Sequence, residues 1–199
     1  LKAADVGVVV SSGSDVAKET ADLVLLDNNF KTIVMAIKQG RVIFANIKKV
    51  ILYLLSDSFS EVMIIVGSLI MRIPLPILTV QILWVNLVND SLPALSLTME
   101  PEDEAIMNKK PRPHKKLLDF ENKFLIFTIS IITGATSLGL FYYFWKTTGN
   151  LDLARTVVFT ALGIDSLLYV FSIKSLEHNI FKARPFRNMY LNISVVIGF

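Results

Sequence analysis

Four apolar stretches, at residues 50–71, 77–98, 123–145 and 154–173, constrain this chain more than any other feature. A helix needs about 20 apolar residues to cross a bilayer, and each stretch reaches that length. Inside hydrocarbon the backbone must satisfy its own hydrogen bonds, and the four runs predict a predominantly α, polytopic membrane helix bundle. A fifth apolar run starts at Met189 and is too short to cross before Phe199; together with a start at Leu1 this leads us to expect a fragment of a longer protein, with its last span incomplete. Composition agrees, at 53% hydrophobic, 19% charged and mean hydropathy +0.56. Those values exclude a disordered chain, and a net charge of only +3 argues against a nucleic-acid partner. Cysteine is absent, which removes disulfides, thiolate metal sites and Cys nucleophiles, and His114 and His178 do not suggest a zinc site.

Residues 1–45 read differently, as soluble α/β structure and a stalk, with the transport region expected over 46–199. Val6-Gly7-Val8-Val9-Val10 has the β-branched content of a buried strand, and Ser11-Ser12-Gly13 a turn. Ser14 is placed to cap a helix, with Asp15 and Glu19 favouring its N-terminal end. Leu23-Val24-Leu25-Leu26 predicts a second strand stopped at Asp27-Asn28-Asn29. Two strands and one helix are too little for a core, so this is expected to be the last piece of a larger domain. From Phe30 a helical pattern (Ile33, Ile37, Ile47, Val50, Ile51, Leu54) runs on past Lys49, predicting one long helix that enters the membrane and couples the two parts mechanically.

The loops alternate in cations. The loop after the first span is Arg72-Ile73-Pro74-Leu75-Pro76. The second carries Lys109, Lys110, Arg112, Lys115 and Lys116; the third only Lys146 and Arg155; the fourth Lys174, Lys182, Arg184 and Arg187. The positive-inside rule places the N-terminal segment and the second and fourth loops in the cytoplasm.

Ionisable groups within spans are expensive and point to function. The first span holds Asp57, Ser58 and Glu61, which helical spacing can place on one face. In the second, Asn86, Asn89 and Asp90 follow an i, i+3, i+4 pattern. Pro93 has no N–H, so the Asn89 carbonyl loses its helical partner. A carboxylate, amide oxygens and freed carbonyls form an oxygen site suited to calcium, magnesium or an alkali cation. The alternative is a polar network that only joins helices. Asp165 is a lone acid in the fourth span. Ser130/Gly134 and Ala135/Gly139 are small-residue pairs expected to permit close helix packing.

Several segments resemble the type II P-type cation-transporting ATPases. Leu1 to Val8 and Gly13 to Asp22 look like the end of their phosphorylation domain. Val80-Gln81-Ile82-Leu83-Trp84-Val85-Asn86-Leu87-Val88-Asn89-Asp90 is similar to the sixth membrane helix of calcium pumps, and Pro101 to Pro113 to the loop that follows. The resemblance implies membrane helices five to nine, the ninth incomplete, preceded by the C-terminal edge of an α/β haloacid-dehalogenase-like domain. It also implies that Glu61, Asn86, Asp90 and Asp165 bind the transported ion, with Ser58 and Asn89 at positions where reticulum calcium pumps carry Asn and Thr. Asp165 replaces their Glu, as in sodium pumps, and Ile73 to Pro76 is similar to sodium and potassium pumps; Asn86 is the calcium-pump residue. The Asp-Lys-Thr-Gly-Thr and Gly-Asp-Gly-x-Asn-Asp motifs of the family do not occur here. ATP and Mg2+ are therefore expected to bind elsewhere in the full-length protein, and this piece alone to be inactive.

The reading that follows is the C-terminal membrane portion of an ATP-driven cation pump carrying calcium, with a sodium or potassium pump as the alternative. Its expected partners are membrane lipid and the N-terminal part of the same protein, in a prokaryotic plasma membrane or an organelle membrane. A passive channel or carrier explains the spans but gives the strand–helix–strand segment no role. A membrane scaffold leaves the intramembrane acids unexplained.

Overall fold

The computed structural model describes residues 1–101, 106–108, 117–174 and 185–198. Most cations of the second and fourth loops, and both histidines, lie outside these residues.

The N-terminal segment is a β–α–β unit. β1 (Val8–Val10) and β2 (Leu23–Leu25) pair in parallel, with Val8 opposite Leu23 and Val10 opposite Leu25, and α1 (Asp15–Thr20) connects them. Gly13 N–H donates to the Val10 carbonyl at 2.9 Å and closes the turn. Ser14 Oγ then accepts from Ala17 N–H at 3.3 Å, satisfying one of the orphan donors of the first helical turn. The Asp22 carboxylate accepts from Gly7 N–H at 2.8 Å and fixes the entry to β1 against the entry to β2. Both strands are shorter than their apolar runs: Val6 and Leu26 lie outside them and are exposed.

α2 is unbroken from Phe30 to Ile70, 41 residues or about 60 Å of helix. Two compact units divide within it, Leu1–Phe44 and Ala45 onward, and the short 3-10 turn Ile106–Asn108 belongs with the first. In that first unit the Arg41 guanidinium donates to the Ile106 carbonyl at 3.1 Å.

The second unit is helical. After α2 come α3 (Thr79–Trp84), a π-helical segment (Val85–Asp90) and α4 (Ser91–Thr98), then α5 (Phe120–Thr148), α6 (Leu151–Lys174) and α7 (Met189–Gly198). Among the described residues three helices are long and apolar enough to cross a membrane: Lys31–Ile70, Phe120–Thr148 and Leu151–Lys174. The expected 77–98 span is helical over Thr79–Thr98, but wider winding at Val85–Asp90 divides it. Gly149 turns the chain between α5 and α6 at φ 66°, a left-handed cap that favours glycine.

Only one of the small-residue pairs packs as expected. Ser130 and Gly134 are buried; Ser130 Oγ donates to the Ser56 carbonyl at 2.9 Å, and a Cβ on Gly134 would sit 2.8 Å from Met63 Cβ. Ala135 and Gly139 lie on the exposed side of α5, because four-residue spacing fixes a face without fixing which way it points.

Two apolar clusters hold the bundle. One joins Leu52 and Tyr53 of α2 to Ala94, Leu97, Ile126, Val170, Ile173 and Leu191. The other joins Ile64 to Ile77, Phe141, Ala154, Val158 and Leu162. Asp57 and Glu61 on α2, and Asp165 and Ser166 on α6, fall between the two clusters along their helices. The polar groups thus occupy a layer with apolar packing at either end. Many outward-facing side chains, including Val66, Leu69, Leu83, Leu87, Leu95, Phe124 and Phe127, are apolar and exposed, a surface suited to hydrocarbon or further helices.

Candidate ion-binding site

The site is built on an α2 face whose residues recur every fourth position: Tyr53, Asp57 and Glu61. Tyr53 and Asp57 are buried and Glu61 is half-buried. Opposite them lies the π segment. Pro93 cannot donate the N–H that the Asn89 carbonyl would receive in an α-helix. The Tyr53 hydroxyl donates to that carbonyl instead, at 3.2 Å. One turn earlier, Ser91 Oγ donates to the Asn86 carbonyl at 2.7 Å. Wider winding and a missing donor thus turn backbone oxygen toward side chains, as is frequent where π segments serve a site.

Asn86 and Glu61 are brought together: the Asn86 amide nitrogen donates to both carboxylate oxygens of Glu61 at 3.0 Å, and to the Ile82 carbonyl at 3.0 Å. Asp90 belongs to a second group. Ser166 Oγ of α6 lies 2.7 Å from Asp90 Oδ1, 2.9 Å from Asp57 Oδ2 and 2.6 Å from the Tyr53 hydroxyl. Asn89 is buried against α6, where a Cβ on Gly163 would come within 2.7 Å of its amide nitrogen. Asn89 Oδ1 and Asp90 Oδ2 are buried without a hydrogen-bond partner. Buried oxygens of this kind cost free energy unless something positive meets them. The donor set therefore fits a hard cation that strips its own water for oxygen ligands.

Asp165 is exposed, unlike Asp57 and Asp90; it accepts from Thr133 Oγ1 at 3.0 Å and lines a small cavity together with Asp57, Ser60, Glu61 and Ser166. Ser58 is exposed, because one residue along the helix turns it about 100° from the buried Asp57. Among the described residues no three acids converge closely enough to hold a metal by themselves, so any cation here relies on amide and carbonyl oxygens as well. Tyr53 and Ser166 were not singled out from the sequence. The spacing of Tyr53 to Asp57 and Glu61 was a usable signal; Ser166, beside Asp165, offered none, since its role depends on which side of α6 faces α2.

The family described as cation transporting ATPase, C-terminus, matches residues 74–199. A calcium-transporting ATPase of Bacillus subtilis is 41% identical over 195 residues, covering 96% of this chain and 22% of its own length. Calcium-transporting ATPase 1 of Bacillus cereus is 40% identical over 216 residues, covering all of this chain and 24% of its own length. An endoplasmic reticulum calcium ATPase of Aspergillus fumigatus is 40% identical over 146 residues, 73% of this chain and 15% of that protein. This chain thus spans less than a quarter of the length of these relatives. With its multi-pass apolar helices and an oxygen-rich layer between them, it is an integral membrane chain and belongs to the P-type cation-transporting ATPases, of which it carries C-terminal sequence.

Proposed function

We propose that this chain is the transport portion of an ATP-driven calcium pump, with Glu61, Asn86, Asn89, Asp90 and Asp165 supplying oxygen ligands to the ion and Ser58 at the margin of the set. The observation that carries the reading is the pair of unpartnered buried oxygens, Asn89 Oδ1 and Asp90 Oδ2, in a polar layer between apolar clusters. Relatives at about this level of identity are named calcium-transporting ATPases, which favours calcium. For Asn86 and Glu61 to bind one cation, the amide must rotate to present Oδ1 in place of the nitrogen it now offers Glu61. Sodium is the second reading, favoured by Asp165 in place of Glu.

Pumping requires that the ion bind differently in two states of the protein. Glu61 rides on α2, whereas Asn86 and Asp90 ride on the π segment. A displacement of α2 driven by phosphorylation elsewhere in the protein would separate these ligands and lower affinity. ATP and Mg2+ would act outside this sequence, the N-terminal segment and the cation-rich loops would face the cytoplasm, and the present chain alone would not hydrolyse ATP. The test is ATP-driven 45Ca2+ uptake into sealed vesicles by the full-length protein. Uptake that requires ATP is expected; ATP-independent flux would support a channel or carrier and overturn the pump reading.

A further inference from the structure

Ser166 hydrogen-bonds both buried carboxyl groups, Asp57 and Asp90. Asp57 comes from α2 and Asp90 from the π segment, and the Ser166 hydroxyl of α6 lies within 2.9 Å of each. Its third contact is the Tyr53 hydroxyl, which also reaches the Asn89 carbonyl and, at 3.5 Å, Asp90 Oδ1. Ser166 is 2% exposed. Two hydroxyl protons are shared among three acceptors on two elements: Asp57 Oδ2 of α2, and Asp90 Oδ1 and the Asn89 carbonyl of the π segment. We propose that Ser166 is the positioning residue of the ion site: its hydroxyl holds the Asp57 and Asp90 carboxylates at a fixed separation and so presets calcium affinity. The proposal rests on the calcium-pump reading above.

Removing the hydroxyl takes away the contact that ties both carboxyl groups to α6, leaving their approach to each other and the Tyr53 contact to Asp90 to set their spacing. A bound cation can redraw them together, at a cost in affinity. The loss therefore appears in the calcium concentration needed, and not in the rate at saturation. That separates positioning from a general structural role, which would lower the amount of folded pump without shifting its affinity.

The experiment measures calcium-dependent phosphorylation from ATP by the full-length pump, as wild type, Ser166→Ala and Ser166→Thr. Ser166→Ala should raise the half-saturating calcium about tenfold with near-normal maximal phosphorylation, the scale of one lost hydrogen bond to a charged group. Ser166→Thr, which keeps the hydroxyl, should stay within about threefold of wild type. Wild-type calcium affinity in Ser166→Ala, or an equal shift in both variants, would overturn the proposal while leaving the pump reading intact. A wild type whose phosphorylation ignores calcium would remove both. Should Ser166→Ala not accumulate, Tyr53→Phe decides: it should weaken calcium binding in the same direction, and unchanged affinity would count against the assignment.

Discussion

The Lys174 ammonium lies 3.3 Å from the Glu100 carboxylate, and the two side chains are only 3% and 9% exposed. Asn188 donates to the other Glu100 oxygen at 2.9 Å and to the Ser96 carbonyl at 2.9 Å, while Asn46 donates to the Glu100 carbonyl at 3.0 Å. One acid thus ties together α2, the end of α4, the end of α6 and the start of α7. Neutralising one partner of a buried pair removes its Coulombic and hydrogen-bonding compensation, at a cost of about 3–5 kcal/mol. Glu100→Gln should lower stability by about that amount, measured by denaturant unfolding in detergent. A loss below about 1 kcal/mol would show that the pair is solvated in the membrane-embedded protein.

The glycines of α5 should behave oppositely. A Cβ on Gly134 would press against Met63, whereas a Cβ on Gly139 would meet nothing within 4 Å. Gly134→Ala should destabilise by about 1–3 kcal/mol through overpacking. Gly139→Ala should be neutral or stabilising by up to about 1 kcal/mol, from helix propensity alone. The same unfolding assay checks both, and equal effects would contradict the packing of α5 on α2.

Topology gives a further test. Cysteines introduced at Lys115 and at Asn150 should label with an impermeant maleimide from opposite sides of the membrane, following the cation asymmetry of their loops. Labelling of both from one side would rule out the arrangement of four crossings.

Much of this fold is legible from residue patterns because the bilayer narrows the choices. Apolar length announces the spans, and Ser14 announces the start of α1. Helical period groups Asp57 with Glu61, and the same spacing reaches back to Tyr53, which the sequence alone did not mark. Other features depend on partners far away in the chain. Ser58 and Asp57 are neighbours with opposite exposures, and only the packing of α2 decides which points inward. The i, i+3, i+4 spacing of Asn86, Asn89 and Asp90 assumes α-helical winding, and the π segment divides their contacts: Asn86 goes to Glu61 and Asp90 to Ser166. Pro93 signalled the freed carbonyl but not that Tyr53 would take it. The Glu100–Lys174 pair joins residues 74 positions apart whose separate sequence contexts give no sign of each other.

Under the proposed function, Asp90 is the carboxylate around which the transported ion is held. It sits beside the carbonyl released by Pro93, with one of its buried oxygens unpartnered. The most direct measurement is phosphoenzyme formation from ATP by the full-length pump with calcium, with sodium or with neither, in wild type, Asp90→Asn, Glu61→Gln and Asp165→Asn. Wild type should require calcium. Asp90→Asn should abolish ion-dependent phosphorylation, Glu61→Gln should weaken it strongly, and Asp165→Asn, whose acid comes from a separate helix, should weaken it less. Undiminished calcium- or sodium-dependent phosphorylation in Asp90→Asn would contradict the site, and phosphorylation of the wild type by sodium alone would reverse the choice of ion.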